Sequence, residues 1–371
     1  MSRNWVIAIV GAGVVLLVLL VWASRTTERS DEPIVVEVDV GDDQPSRIPR
    51  EELVRKAQEE GQLYWYTSAP EAAAREFLAA FEKKHGIGTE LFRGSTFDVT
   101  EKLNAELSIG AVQADALHVL DVAIFLTLKA EGELLRYDSP EYEHFPRQFR
   151  EDGYWAALRA VAICMAYNQE VVPPEQAPKR WEDLVSPEAV RWQSQLGLEN
   201  PQSGSQYCQY YFLRDLYGVN FWRGLSVRAP RFYNSSADML DAVLRGDLLL
   251  AAEVPGYAVY DRRRKGHTEL VPVYPEDGVP MVVAPLAIPR RAPHPHAARL
   301  FLDFALSEEG QTLFQGVIGA YSVRDGVEPL PGKPKLSDLP ILAPSGGWED
   351  YLEKQRDLRA EFSSIFYPSS E

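Results

Sequence analysis

The sequence predicts an α/β protein with parallel strands arranged in two lobes. Three observations carry that reading. The apolar pattern switches repeatedly between a period of two and a period near 3.6, as βαβ units require. Three strand-like segments between residues 63 and 121 each run into small polar residues with a helical pattern behind them. The same logic recurs after residue 196, beyond a nearly continuous β-like run over 154–168.

The elements follow in order. Leu63-Tyr64-Trp65-Tyr66 is the first strand and ends in Thr67-Ser68. Alternation turns Trp65 away from the Tyr66 face, toward the core. Pro70 suits a helix start, and the helix over 71–84 keeps Phe77, Leu78 and Phe81 on one face. The second strand ends in Arg93-Gly94-Ser95-Thr96, before a helix over 97–108. The third, Ala116 to Leu120, stops at Asp121, before a helix over 122–131. The 154–168 run is longer than one common strand and reads as the crossover into the second lobe.

In that lobe Leu196-Gly197-Leu198 leads into Glu199-Asn200-Pro201-Gln202-Ser203-Gly204-Ser205 and a helix to about Tyr217. Arg231-Phe232-Tyr233 leads into Asn234-Ser235-Ser236, a cap cluster for a helix over 237–245. A strand over 248–252 ends at Glu253, and a helix starts near Gly256-Tyr257. Extended chain returns over 272–289, followed by one amphipathic helix over 296–315. A proline-rich loop over 327–344 and a surface helix over 348–366 close the chain.

The chain has 371 residues, 46% hydrophobic and 25% charged, which is ordinary globular composition. Its net charge of −16 disfavours nucleic acid and anionic membrane surfaces as partners. A small anion stays compatible, because a site's local field can oppose the net charge. Residues 5–23 are uncharged and almost wholly apolar, and would span roughly 28 Å, about one hydrocarbon core. They read as an export signal or uncleaved anchor, with small residues before a cleavage point after Ala23. No cysteine lies nearby to make a lipoprotein anchor. Residues 26–51, rich in Asp, Glu and Pro, read as a flexible tether. Cys164 and Cys208 lack CxxC spacing; they are read as buried thiols, with one disulfide as the alternative. No G-x-S-x-G, H-E-x-x-H or Cys–His signal is present, so no enzyme and no cofactor are expected.

The order of several short motifs resembles the extracellular solute-binding proteins of ABC importers, in the bilobal ferric-type (type II periplasmic) group. Those motifs include Tyr66-Thr67-Ser68, Phe92-Arg93-Gly94-Ser95-Thr96, Ala114-Asp115-Ala116, Ala166-Tyr167-Asn168 and Trp181-Glu182-Asp183-Leu184. Pro201-Gln202-Ser203-Gly204-Ser205, Ala242-Val243-Leu244-Arg245-Gly246-Asp247 and Ser307-Glu308-Glu309-Gly310 continue the series. The resemblance spans about 52–326. It implies an α/β two-lobe periplasmic binding protein-like fold with a ligand in the hinge cleft, an ABC permease as partner, and an extracytoplasmic location. Here an N-terminal transmembrane or signal helix would precede that fold and tether it to the inner membrane. The first lobe is expected over 52–160 and 272–326, the second over 161–271, and a C-terminal loop and helix over 327–371. A monomer is expected.

Ferric members hold the metal with adjacent tyrosines, a histidine and a carboxylate. Here the tyrosine position offers Tyr257 with Gly256 beside it, the first-lobe histidine is missing, and Asp121 supplies the carboxylate. Ferric binding through Tyr257 and Asp121 is therefore the alternative. The leading reading is a small anionic organic solute. Ser68, Ser95, Thr96, Ser203 and Ser205 would donate to its oxyanion beside helix N-termini. Asp121 would take an ammonium, and Tyr66 or Tyr257 would cover an apolar part. The same hydroxyls and Asp121 also suit plain helix caps. A membrane-tethered sensor using the same cleft is the other reading.

Overall fold

The structure, a computed structural model, describes residues 48–200, 206–342 and 344–367. The expected export segment, most of the tether, and Ser203 and Ser205 lie outside the described residues. Helix α1 (Arg50–Glu60) leads into β1 (Gln62–Thr67), α2 (Glu71–His85), β2 (Gly88–Arg93), α3 (Thr96–Ile109), β3 (Ala116–His118) and α4 (Val122–Ala130). Then come β4 (Arg150–Glu151), β5 (Trp155–Asn168), β6 (Leu196–Glu199), α5 (Gln206–Tyr217), α6 (Val219–Ser226), β7 (Arg231–Tyr233) and α7 (Ser236–Arg245). The remainder is β8 (Leu250–Pro255), α8 (Gly256–Arg264), β9 (Leu270–Val273), β10 (Val279–Ala287), α9 (Pro295–Leu306), α10 (Glu308–Ile318), β11 (Ile341–Leu342) and α11 (Gly347–Phe366).

The strands run in the order β2-β1-β3-β10-β5-β8-β6-β7. β5 belongs to both lobes. Its first half pairs with β10, from Ala287↔Trp155 to Met281↔Ala162. Its second half pairs with β8 from Ile163↔Pro255 onward and with β9 from Met165↔Val273. Every residue of β5 is buried, which explains the unbroken apolar run: both faces and both edges are covered. β1, β2 and β3 run parallel in the first lobe, and β6, β7 and β8 run parallel in the second. The polar turns after these strands therefore gather at one edge of each lobe, as expected.

Both faces of β1 are packed. Trp65 meets Phe77, Phe301 and Phe314 on the side of α2, α9 and α10. Tyr66 lies on the other side, fully buried, with its hydroxyl donating to Glu106 Oε1 of α3 at 2.7 Å. This corrects the expectation that Tyr66 covers a ligand. Alternation correctly separated the two rings, but helices cover both faces, so neither ring reaches the cleft.

The amphipathic pattern over 296–315 is two helices. Ser307, at ψ 161, ends α9 and caps α10 by accepting the Gly310 N–H at 3.1 Å. A side chain at position 310 would sit 1.9 Å from the Phe304 carbonyl, so the tight corner requires glycine. The strand placed at 248–252 runs on to Pro255. α1 had no counterpart among the expected elements.

α11 is no loosely laid surface helix. Trp348, Tyr351, Leu358 and Phe362 form a buried stripe at helical spacing. Its Glu361 accepts from Arg214 at 2.8 and 3.2 Å and from Tyr210 at 2.7 Å, both on α5. Asp350 accepts from the Tyr211 hydroxyl at 2.6 Å. The adjacent tyrosines Tyr210 and Tyr211 thus bind α5 to α11. On the first-lobe side the Trp348 indole N–H donates to the Gln148 carbonyl at 2.9 Å. Both cysteines are free and buried.

Candidate ligand cleft

In parallel sheets the strand carboxyl ends and the following helix N-termini form the ligand-binding edge. At that edge of the first lobe, the Thr67 hydroxyl lies 2.7 Å from His118 Nδ1 and accepts from the Ala69 N–H at 3.0 Å. The proton of that 2.7 Å contact comes either from the Thr67 hydroxyl or from Nδ1. Burial, with help from the nearby Arg159 charge, holds His118 well below the usual histidine range, so the ring stays neutral. Nε2 is buried with no hydrogen-bond partner.

Ser68 follows on the same turn. Its N–H donates to the His118 carbonyl at 2.9 Å, while its Oγ is buried without a partner. Arg93, exposed at the end of β2, reaches the Ala69 carbonyl at 3.3 Å.

Arg159 lies behind these groups on β5. It is 2% exposed, and its Nε and Nη1 have no hydrogen-bond partner. Its guanidinium stands 5.9 Å from the centre of the Tyr257 ring. Burial lowers its pKa, Tyr257 partly offsets that, and Arg93 adds a small push in the same direction as burial. Arg159 comes from the hinge strand, Tyr257 from the first turn of α8 in the second lobe, and Ser68 and Arg93 from the first lobe. Buried guanidinium groups are normally paired.

The remaining expected residues divide by what already engages them. Ser95 caps α3: its Oγ accepts from the Asp98 N–H at 3.1 Å and donates to Asp98 Oδ2 at 2.7 Å. Thr96 is the first residue of α3, half-buried on a groove of about 780 Å³ that Asp121, Thr127, Gln355 and Arg359 also line. Asp121 caps α4 by accepting the Ala123 N–H at 3.0 Å, and its other oxygen accepts from Gln355 of α11 at 3.3 Å. Burial pushes its pKa up to about 6. Ser203 and Ser205 lie outside the described residues.

Three groups in this region were not anticipated: His118, Arg159 and Glu253. Arg159 had a usable signal, as the one charged residue in the fourteen-residue strand β5. Glu253 had been placed only as a strand end. It is buried, and burial followed by the Glu199 charge raises its pKa to about 8.

The profile of the family described as bacterial extracellular solute-binding protein matches residues 63–316. The chain belongs to that family. It is thereby a type II periplasmic solute-binding protein and the substrate-binding component of an ABC importer. Iron-bound HitA from Pseudomonas aeruginosa superposes with a TM-score of 0.71 at 22% identity, covering 82% of this chain and 99% of that one. AfuA from Actinobacillus pleuropneumoniae, with fructose 6-phosphate bound, gives 0.71 at 21% identity over 82% and 98%. Iron uptake protein A1 of Synechocystis is 26% identical over 159 residues, 41% of this chain and 40% of that protein. HitA and AfuA share the bilobal fold expected from the sequence, and family membership implies an extracytoplasmic location and a permease partner. Among the described residues no helix is long and apolar enough to cross a membrane.

Proposed function

We propose that this solute-binding protein delivers a small anionic organic solute to its permease, and that Arg159 holds the anion. The observation that carries the reading is the buried guanidinium with two unpartnered nitrogens, together with the unpartnered Ser68 hydroxyl in the turn after β1. A buried cation without a counter-ion is costly, and a bound oxyanion removes that cost. Charge-assisted bonds from a planar guanidinium to an oxyanion are also the strong ones. Tyr257 flanks the guanidinium and would close the anion's far side. Ser203 and Ser205 would add hydroxyls from the second lobe. The −16 charge does not oppose this, because distant carboxylates are screened and the cationic groups are close.

Ferric binding has less support. The neighbour of Tyr257 is Gly256, where a side chain would come within 2.7 Å of the Tyr274 hydroxyl. A second tyrosine at position 256 would have to displace the Tyr274 hydroxyl and would press on the Ala162 carbonyl at 3.2 Å. We also infer that residues 5–23 carry the chain across the inner membrane and tether it there, on the strength of their uninterrupted apolar character.

A thermal-shift screen of the soluble part against anionic, neutral and cationic small organic solutes, with ferric citrate included, tests the ligand reading. Stabilisation by an anionic class, lost in Arg159→Met, is the expected result. Stabilisation only by ferric citrate, retained in Arg159→Met, would reverse the ranking.

A further inference from the structure

Glu253 combines three unusual properties. It is 5% exposed, and its Oε1 is buried with no hydrogen-bond partner. Its φ is +66, a left-handed backbone that non-glycine residues rarely adopt. It also sits in a bulge: Cys164 faces Val254 and Ala166 faces Ala251, so Ala252 and Glu253 together stand opposite Met165 alone. Bulges beside binding sites re-aim a side chain, and strain of this kind persists where the surrounding structure holds it for a purpose.

Its position suits a ligand. β6 and β8 run parallel with Leu196 beside Leu250 and Gly197 beside Ala251. Continuing that register sets Glu199 level with Glu253 at the carboxyl ends of both strands, the binding edge of the second lobe. The Glu199 charge is among the causes that raise the Glu253 pKa. The first lobe and hinge present cations at their own edge, Arg93 and Arg159. Arg93 and Arg159 thus stand on the first-lobe and hinge side, and Glu199 and Glu253 on the second-lobe side.

Resting on the anion reading above, we propose that the solute is a zwitterion, with its oxyanion on Arg159 and Ser68 and its ammonium on Glu253, with Glu199 alongside. A hydroxyl on the solute would satisfy Oε1 but would leave two neighbouring carboxyls competing for charge. An ammonium between them lets both ionise. Binding then breaks the O–H bond of Glu253, and the proton leaves to solvent.

Calorimetry on matched pairs tests this: ethylphosphonate against 2-aminoethylphosphonate, ethyl phosphate against O-phosphoethanolamine, and propanoate against β-alanine. In at least one pair the amino member should bind tenfold or more tighter, and Glu253→Gln should erase that advantage. Equal affinity within every pair that binds, or an advantage that survives Glu253→Gln, would overturn the zwitterion and leave the anion reading standing. No binding by any member would overturn both. Should Glu253→Gln fail to fold, proton release decides. Wild-type titrations in two buffers of different ionisation enthalpy at pH 7 should show release of up to about one proton per ligand. None would overturn the proposal.

Discussion

Gln355 donates to the Asp121 carboxylate across 3.3 Å and 234 positions of sequence. It does so from α11, a helix otherwise anchored to α5 through Glu361 and Asp350. α5 forms part of the β6–β7 crossover of the second lobe, whereas Asp121 caps α4 in the first. Gln355 therefore adds a tie between the two lobes to the Trp348–Gln148 hydrogen bond, outside the stretch 63–316 that the family profile matches. The Asp121 carboxylate, expected to meet a ligand ammonium, is engaged by a cap and by this amide instead.

Removing the amide should loosen that tie at modest cost. Gln355→Ala loses the hydrogen bond to the Asp121 carboxylate, about 1.5–3 kcal/mol, and the one to the Tyr351 hydroxyl, about 0.5–1.5 kcal/mol. Trp348→Ala removes a large buried ring and should cost about 3–5 kcal/mol. Urea denaturation of both variants measures the order. Small-angle scattering of ligand-free Gln355→Ala should show a radius of gyration equal to or larger than that of the wild type.

Ser68 and Ser95 should separate cleanly. The Ser95 hydroxyl is used in its cap, so Ser95→Ala should lose about 0.5–2 kcal/mol of stability and leave solute affinity nearly unchanged. The Ser68 hydroxyl has no protein partner, so Ser68→Ala should barely change stability and should weaken binding about tenfold. Thermal melts and calorimetry on the two variants check the crossover.

The strand ends, the helices behind them and the shared long strand were legible because period and turn chemistry are local. The functional status of the hydroxyls was not. A serine at a strand-to-helix turn looks the same whether it caps, as Ser95 does, or waits unpartnered, as Ser68 does. Asp121 was ambiguous in the same way, and its second partner lies on a helix more than two hundred residues away. Tyr66 was misplaced because alternation reports a face and not what covers it. Arg159 stood out in the sequence only as a lone cation in an apolar run, which says nothing about its partners. Its meaning comes from burial, which only the assembled lobes create.

The raised carboxyls set a pH dependence. Glu253 rises from 4.5 to about 8 and Asp121 from 3.8 to about 6, each mainly through burial. Between the unfolded and folded values the native state binds more protons than the unfolded chain, so each contribution is present at low pH and lost as pH rises. Glu253→Gln should therefore gain stability relative to wild type as pH goes from about 5 to 8.5, and Asp121→Asn should gain its share mainly below pH 6.5. Denaturation midpoints across that range measure the differences.

Arg159→Met keeps much of the side chain's bulk and removes an uncompensated buried charge. The ligand-free variant should be as stable as wild type or more so, while binding weakens by about tenfold to a hundredfold or more. Stability gained where function is lost is the signature of a binding group, and melts run beside calorimetry would show it.

Native mass spectrometry of the two proteins, purified without denaturation and compared side by side, tests the anion site most directly. The wild type should carry a small organic adduct that dissociates in the gas phase as an anion, and Arg159→Met should carry none. A wild type without such an adduct after saturation with its cell extract, or the same adduct retained by Arg159→Met, would contradict the account.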